Sequence, residues 1–391
     1  MVKKSWWLLF LFFFAAGCQT AATQPSQLDP ASGETTLLPA LSPDQLTPVA
    51  PSATHQASPS PTTHPSLTPS PTAPTPTPSP TVLPRTELLF TGVIVPARCV
   101  QAAIDASGDA DYLYDEVRET IYKTDLAIGT LNATISNYPP HTGCVPTYVL
   151  VGSPENADAL ARAGFDLMSV ATNHIKNCGL SNCGDRAFFD TLDNLNRVGI
   201  LPIGAGMNLP DAMKPVVVEL NGTRFGFVSL GQLEPLTFAT NDTPGIAVLD
   251  ETNLRAAIQA ARQVADVVIA MPHWGPEDSP LPNWSQRELA KVAVQAGADL
   301  VVGNHTHVVQ AIEEIDGVKV YYGLGNFVFD QNWALDHQQG VILIVTFQGT
   351  ELVDTTLIPT HVDGDGRVHI ADEQEAAEIL ARIEQASRSL R

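Results

Sequence analysis

His273 closes an apolar run that begins at Val267, and the motif Gly303-Asn304-His305-Thr306-His307 closes another, Leu300 to Val302. One histidine after such a run usually packs or caps. Three imidazoles and an asparagine at two equivalent places point instead to a shared site, because ligands collect at the carboxyl ends of strands in α/β folds. Converging imidazole nitrogens suit a divalent transition metal.

The elements needed to position these residues are legible nearby. Val267 to Ala270 and Leu300 to Val302 are short, β-branched and bounded by Pro and Gly, as buried strands are. Between them, Ser285-x-x-Glu288 reads as a capping box, Leu289, Val292, Ala293 and Ala296 recur at helical spacing, and Gly297 is a stop. The expectation is a β-α-β unit with imidazoles at both strand exits. Trp274 and Glu277 beside His273, and Asn326 in Gly325-Asn326-Phe327, are expected to line the same cleft.

The start of the chain is of another kind. Lys3 and Lys4 precede an apolar run, Trp6 to Ala16, that ends in Ala15-Ala16-Gly17-Cys18. This is the pattern of a secretory signal, residues 1–18, and its end resembles a bacterial lipobox with Ala15 where Leu is usual. Cys18 is then the expected lipidation site, which places the protein outside the cytoplasm, anchored to the outer face of the cell membrane. Residues 19–86 are rich in Pro, Ser and Thr and poor in large apolar side chains, so they are expected to form a disordered, semi-extended stalk. The globular region is expected over 87–371, with a C-terminal helix over 372–391.

Charge narrows the partners. Acidic residues number 42 against 21 basic, a net charge of −21, which excludes the basic surface that nucleic acid requires. An anionic polymer could be met only through local positive charge or a bridging metal. Of five cysteines, four remain once Cys18 is lipidated, and outside the cytoplasm they are expected to pair. A local Cys178–Cys183 bridge would leave Cys99 with Cys144, one of three connectivities open to four cysteines.

Further along, Phe165 to Ala171 reads as a strand running into Thr172-Asn173-His174. Asn221-Gly222 between apolar runs reads as a hairpin turn. Asp111 to Tyr122 reads as a helix. Trp284, Trp333 and the pair Phe188-Phe189 read as packing residues.

Together Asn173-His174, His273-Trp274-Gly275 with Glu277, Gly303-Asn304-His305-Thr306-His307 and Gly325-Asn326-Phe327 resemble the CapA family of capsule or poly-γ-glutamate synthesis proteins. That resemblance implies a four-layer α-β-β-α metallophosphatase-like (calcineurin-like) sandwich with mixed sheets. It also implies metal positions at Asn173, His273, His305 and His307, and a proton-donating role for His174. Two acidic metal positions of the family pattern fall here on Val93 and Asn132, and Asn177 stands where the family often has Asp. The expected cofactor is therefore one divalent ion (Mn, Fe or Zn) rather than a bridged pair. The expected partners are an anionic exopolymer or cell-envelope polymer and a capsule-synthesis complex. The rival expectation is a metal-dependent hydrolase of a phosphoester or amide in that polymer.

Overall fold

A computed structural model describes residues 83–177 and 184–391. Arg85–Ile94 is the hub of an eight-stranded mixed sheet. On one side it pairs in parallel with Leu126–Leu131, followed by Leu167–Ser169 and Leu201–Ile203. On the other it is antiparallel to Gln339–Gln348, which continues into Glu351–Val362 and Val368–Ile370. The short strand Asn326–Val328 runs parallel to the tip of the hub strand. There Gly92 is required, since a Cβ would lie 2.2 Å from the Gly325 carbonyl oxygen.

The second sheet has six strands. Thr223–Gly231, Val267–His273, Leu300–Val302 and Val318–Tyr321 are parallel, and an antiparallel hairpin partner flanks each edge. One hairpin turns at Asn221-Gly222, both with positive φ (51° and 81°), as a two-residue turn between twisted strands demands.

Strand alternation builds the layers. Leu88 and Phe90 of the hub face Phe227, Ile269 and Val302 across the gap between the sheets. Their neighbours Leu89 and Val93 turn the other way, onto helix residues such as Leu160 and Phe188. In the second sheet Val268 and Ala270 point outward onto Ile258 and Ala293 of two helices, Glu251–Arg262 and Trp284–Ala296. The architecture is the expected four-layer α-β-β-α sandwich. The C-terminal helix, Glu373–Arg388, drives Ile379 and Ile383 into the inter-sheet core.

Several expectations need correction. The helix after His273 is capped by Asn283 and Gln286, not by Ser285 and Glu288. The Asn283 side chain accepts from the Gln286 N–H, and the Gln286 side chain accepts from the Asn283 N–H, so the reciprocal pair starts two residues earlier. Asp111 to Tyr122 is broken into a 3₁₀ turn, Asp111–Leu113, and a short helix, Arg118–Tyr122. The longer local helix is Cys99–Ser107. Cys99 and Cys144 are disulfide-bonded. Cys18, Cys178 and Cys183 lie outside the described residues, as do residues 1–82 of the segments expected as signal and stalk, whereas Arg85 and Thr86, expected in the stalk, belong to the hub strand. No described helix is long and apolar enough to cross a membrane.

Candidate functional site

Four strand exits meet at one end of the sandwich. His273 is the last residue of its strand and is bridged to Asn304, the first polar residue beyond Leu300–Val302. Asn304 donates to Thr130 Oγ1 at 2.7 Å, which ties this exit to the other sheet. Asn173 and His174 lie in the turn after Leu167–Ser169. The loop 303–307 then doubles back sharply: His305 and His307 have φ of 107° and 60°, a region unfavourable for side chains with a Cβ. Strain of this kind collects where side-chain aim matters more than backbone comfort. Here it turns two imidazoles into the same space.

Three donor atoms converge there. His273 Nε2 lies 2.9 Å from Asn173 Oδ1 and 3.2 Å from His305 Nδ1. Ligand atoms held at about 2.0–2.1 Å by one cation sit about 2.8–3.4 Å from each other, so the two separations from His273 Nε2 fit a common ion. The arrangement also leaves buried polar atoms unserved: among the described residues His273 Nδ1, Asn304 Oδ1 and Asn132 Nδ2 have no hydrogen-bond partner. A second grouping shares His305. Its Nε2 and that of His307 lie 4.0 and 3.9 Å from the half-exposed Glu277 carboxylate, too wide for one ion without movement of that flexible side chain. The His307 tautomer is set by its neighbour. Asn326 Nδ2 donates to Gln331 and to the His337 carbonyl, so Asn326 Oδ1 must accept from His307 Nδ1–H at 2.8 Å. The His307 Nε2 lone pair is thus left free.

Electrostatics keep the rings ligand-competent. Burial drives His273 well below the ordinary histidine range, and the neighbouring His305 and His307 push the same way. Burial lowers His305 to about 3 and His307 to about 4, and it lowers His174 too. All four are neutral at neutral pH and can present lone pairs. Burial, then Asp278, raises Glu277.

Asn173, His174, His273, His305, His307 and Glu277 are brought together. Trp274 is not a cleft residue. It is fully buried in the outer-face core, stacks on Tyr322, and donates its indole N–H to the Tyr322 carbonyl at 3.0 Å. Asn326 stands behind His307 and orients it rather than lining the cleft. Val93 is buried in the core under the first sheet, and Asn132 Oδ1 accepts the His174 backbone N–H at 3.1 Å. Asp330 could have supplied a carboxylate, but it is committed to Arg98 and to the Cys99 N–H. Phe188 is a packing residue as expected, whereas Trp284 and Trp333 are exposed. Trp333 lies at the cleft mouth with Tyr148 and Arg98. Nothing periodic marks these three in the sequence, because all sit in loops.

The model of the bacterial capsule synthesis protein PGA_cap matches residues 87–331. The PGA biosynthesis protein CapA of Bacillus subtilis is 29% identical over 70% of this chain and 71% of its own length. The capsule biosynthesis protein CapA of Bacillus anthracis is 27% identical over 70% and 67%. Among solved structures, a phosphatase of Mycoplasma pneumoniae aligns with TM-score 0.45 and 11% identity, over 71% of this chain and 94% of that one.

Proposed function

This chain belongs to the family of bacterial capsule synthesis proteins, and from that premise we propose that it binds an anionic exopolymer of the poly-γ-glutamate type during its synthesis, export or retention. In this reading it is a lipoprotein tethered through Cys18 outside the cytoplasm, with the stalk giving it reach. The Cys99–Cys144 bridge supports an oxidising compartment. Asn173, His273 and His305 would hold one divalent cation, which when bound supplies the positive charge that an acidic protein lacks toward a polycarboxylate.

The observation that carries the reading is the donor set. Neutral oxygen and nitrogen atoms converge on one position, while Val93 and Asn132 offer no carboxylate to balance a second ion. Neutral ligands alone would set two dications against each other with nothing between them, so a bridged pair is disfavoured. A second reading rests on Glu277, whose carboxylate faces His305 and His307 and could complete a hydrolytic centre. In that reading His174 would serve as proton donor. The test is equilibrium binding of poly-γ-glutamate to the full-length protein, with manganese and with EDTA. Saturable, manganese-dependent binding with the polymer length unchanged is expected. Shortening of the polymer, abolished by His305→Ala, would replace this reading with the hydrolase.

A further inference from the structure

Two large aromatic rings stand in solvent at the mouth of the site. Tyr148 is 86% exposed and Trp333 64% exposed, and both line one cleft of about 320 Å³ with His174, Glu277 and His307. Exposed rings of this size forgo burial worth about 2 kcal/mol or more each, so their placement calls for an occupant.

Neither ring is on a loose loop. The Tyr148 segment is fastened four ways: Cys144 is bonded to Cys99, Arg98 donates to the Thr147 carbonyl at 3.2 Å, the Leu150 N–H donates to Asn177 Oδ1 at 2.9 Å, and the Tyr148 backbone hydrogen-bonds the His174 ring. Trp333 packs on the His337 ring, with centroids 5.6 Å apart. His337 is held by Asp278 at 2.6 Å, and its carbonyl takes the Asn326 amide that orients His307. The residues that shape the site therefore also anchor the backbone beneath Tyr148 and the ring of Trp333, a preorganisation that lowers the entropy lost on binding.

Charge says what the rings can grip. The charged residues lining the cleft are Arg98 and Glu277. Arg98 is neutralised by a bidentate contact with the buried Asp330, and Glu277 has no Lys or Arg partner among the described residues. The outer rim made by these side chains is thus net negative and attracts no carboxylate of its own, which leaves carboxylates to a cation held deeper or to solvent, while flat uncharged groups meet no barrier at the rim. We propose that Tyr148 and Trp333 form a stacking clamp for the planar main-chain amides of an extended polyamide, whose carboxylates are left to the cation position and to solvent. This rests on the exopolymer reading and adds which part of the polymer is recognised.

The experiment measures affinity of the full-length protein, as wild type, Tyr148→Ala, Trp333→Ala and Trp333→Phe, for two probes. One is poly-γ-glutamate. The other is polyacrylate, which carries carboxylates on a hydrocarbon main chain. Each alanine variant is expected to weaken poly-γ-glutamate binding about fivefold and Trp333→Phe by about twofold at most, since ring contacts of this kind are worth about 1 kcal/mol. Polyacrylate binding is expected to be the same in all four. Poly-γ-glutamate affinity unchanged in both alanine variants overturns the clamp and leaves the exopolymer reading standing. Equal losses for both probes also overturn it, because the rings would then be serving carboxylates. No affinity of the wild type for poly-γ-glutamate overturns the clamp and the exopolymer reading together.

Discussion

Replacing Asn132 with aspartate exchanges an NH₂ for an oxygen with almost no change of shape. Asn132 is fully buried, its Oδ1 accepts the His174 N–H, and its Nδ2 has no partner. The variant keeps the useful acceptor and removes the orphaned donor, so charge is the one large variable. With no cation hydrogen-bonded to it, a fully buried carboxyl rises by about 3 units, from about 3.9 in the unfolded chain to about 7. At about 1.4 kcal/mol per unit, that removes about 4 kcal/mol of stability at pH 7. The sign follows from which state releases its proton first. The unfolded chain ionises from about pH 4 and the folded one only near pH 7, so the loss grows across that window and vanishes below it. Urea denaturation at pH 4 and pH 7 reads this directly. A divalent ion would turn the buried carboxylate into a ligand, and saturation at a hundred times the dissociation constant restores about 2.7 kcal/mol. Asn132→Asp should therefore gain more from manganese than the wild type does. Equal destabilisation at both pH values, with the same manganese increment in both proteins, would refute the reasoning that a carboxylate at position 132 is buried and within reach of a bound cation.

Trp274→Phe removes a buried hydrogen bond to the Tyr322 carbonyl and shrinks a fully buried ring, and should cost about 2–4 kcal/mol in urea denaturation. Polymer affinity should be untouched; lost affinity at full stability would return Trp274 to the cleft. Asp330→Asn strands the mostly buried Arg98 guanidinium and should cost about 3–5 kcal/mol, measured the same way, with a negligible change indicating that water replaces the carboxylate. Gly92→Ala should yield no folded protein on circular dichroism, because its Cβ would meet the Gly325 backbone rather than a side chain that could yield. At His369, burial lowers the pKa, but hydrogen bonds to Asp363 and Glu116 outweigh it and hold the pKa above the ordinary value. The stabilisation from this histidine is therefore present below its unfolded pKa and is lost as pH rises through the folded one. An NMR titration should show that raised midpoint, and Asp363→Asn should bring it down; an unmoved midpoint would contradict the assignment.

How far the fold could be read from the chain depended on what each signal measures. The β-α-β unit around His273 and the Asn221-Gly222 hairpin were legible because apolar runs, glycine stops and turn dipeptides are local. The helix start is ambiguous in the sequence because two candidate boxes lie two residues apart, and the choice between Asn283 and Ser285 is made by where the chain leaves the strand. Asp111 to Tyr122 looked helical by composition, yet Tyr112, Leu113 and Tyr114 are all buried in consecutive positions, which one helical face cannot accommodate. Trp274 lies away from the cleft for a related reason. Alternation along its strand sends His273 to the cleft, so the next residue turns to the opposite layer. The converging ligand atoms were foreseeable as residue types, but the Arg98–Asp330 pair that withholds a carboxylate spans 232 residues and leaves no local trace.

Asn173, His273 and His305 are proposed to hold one cation. Metal content per chain of the purified full-length protein, before and after His273→Ala, tests it most directly. One divalent ion per chain, lost in the variant, is the predicted result. Two ions per chain, or one that persists without His273, would contradict it.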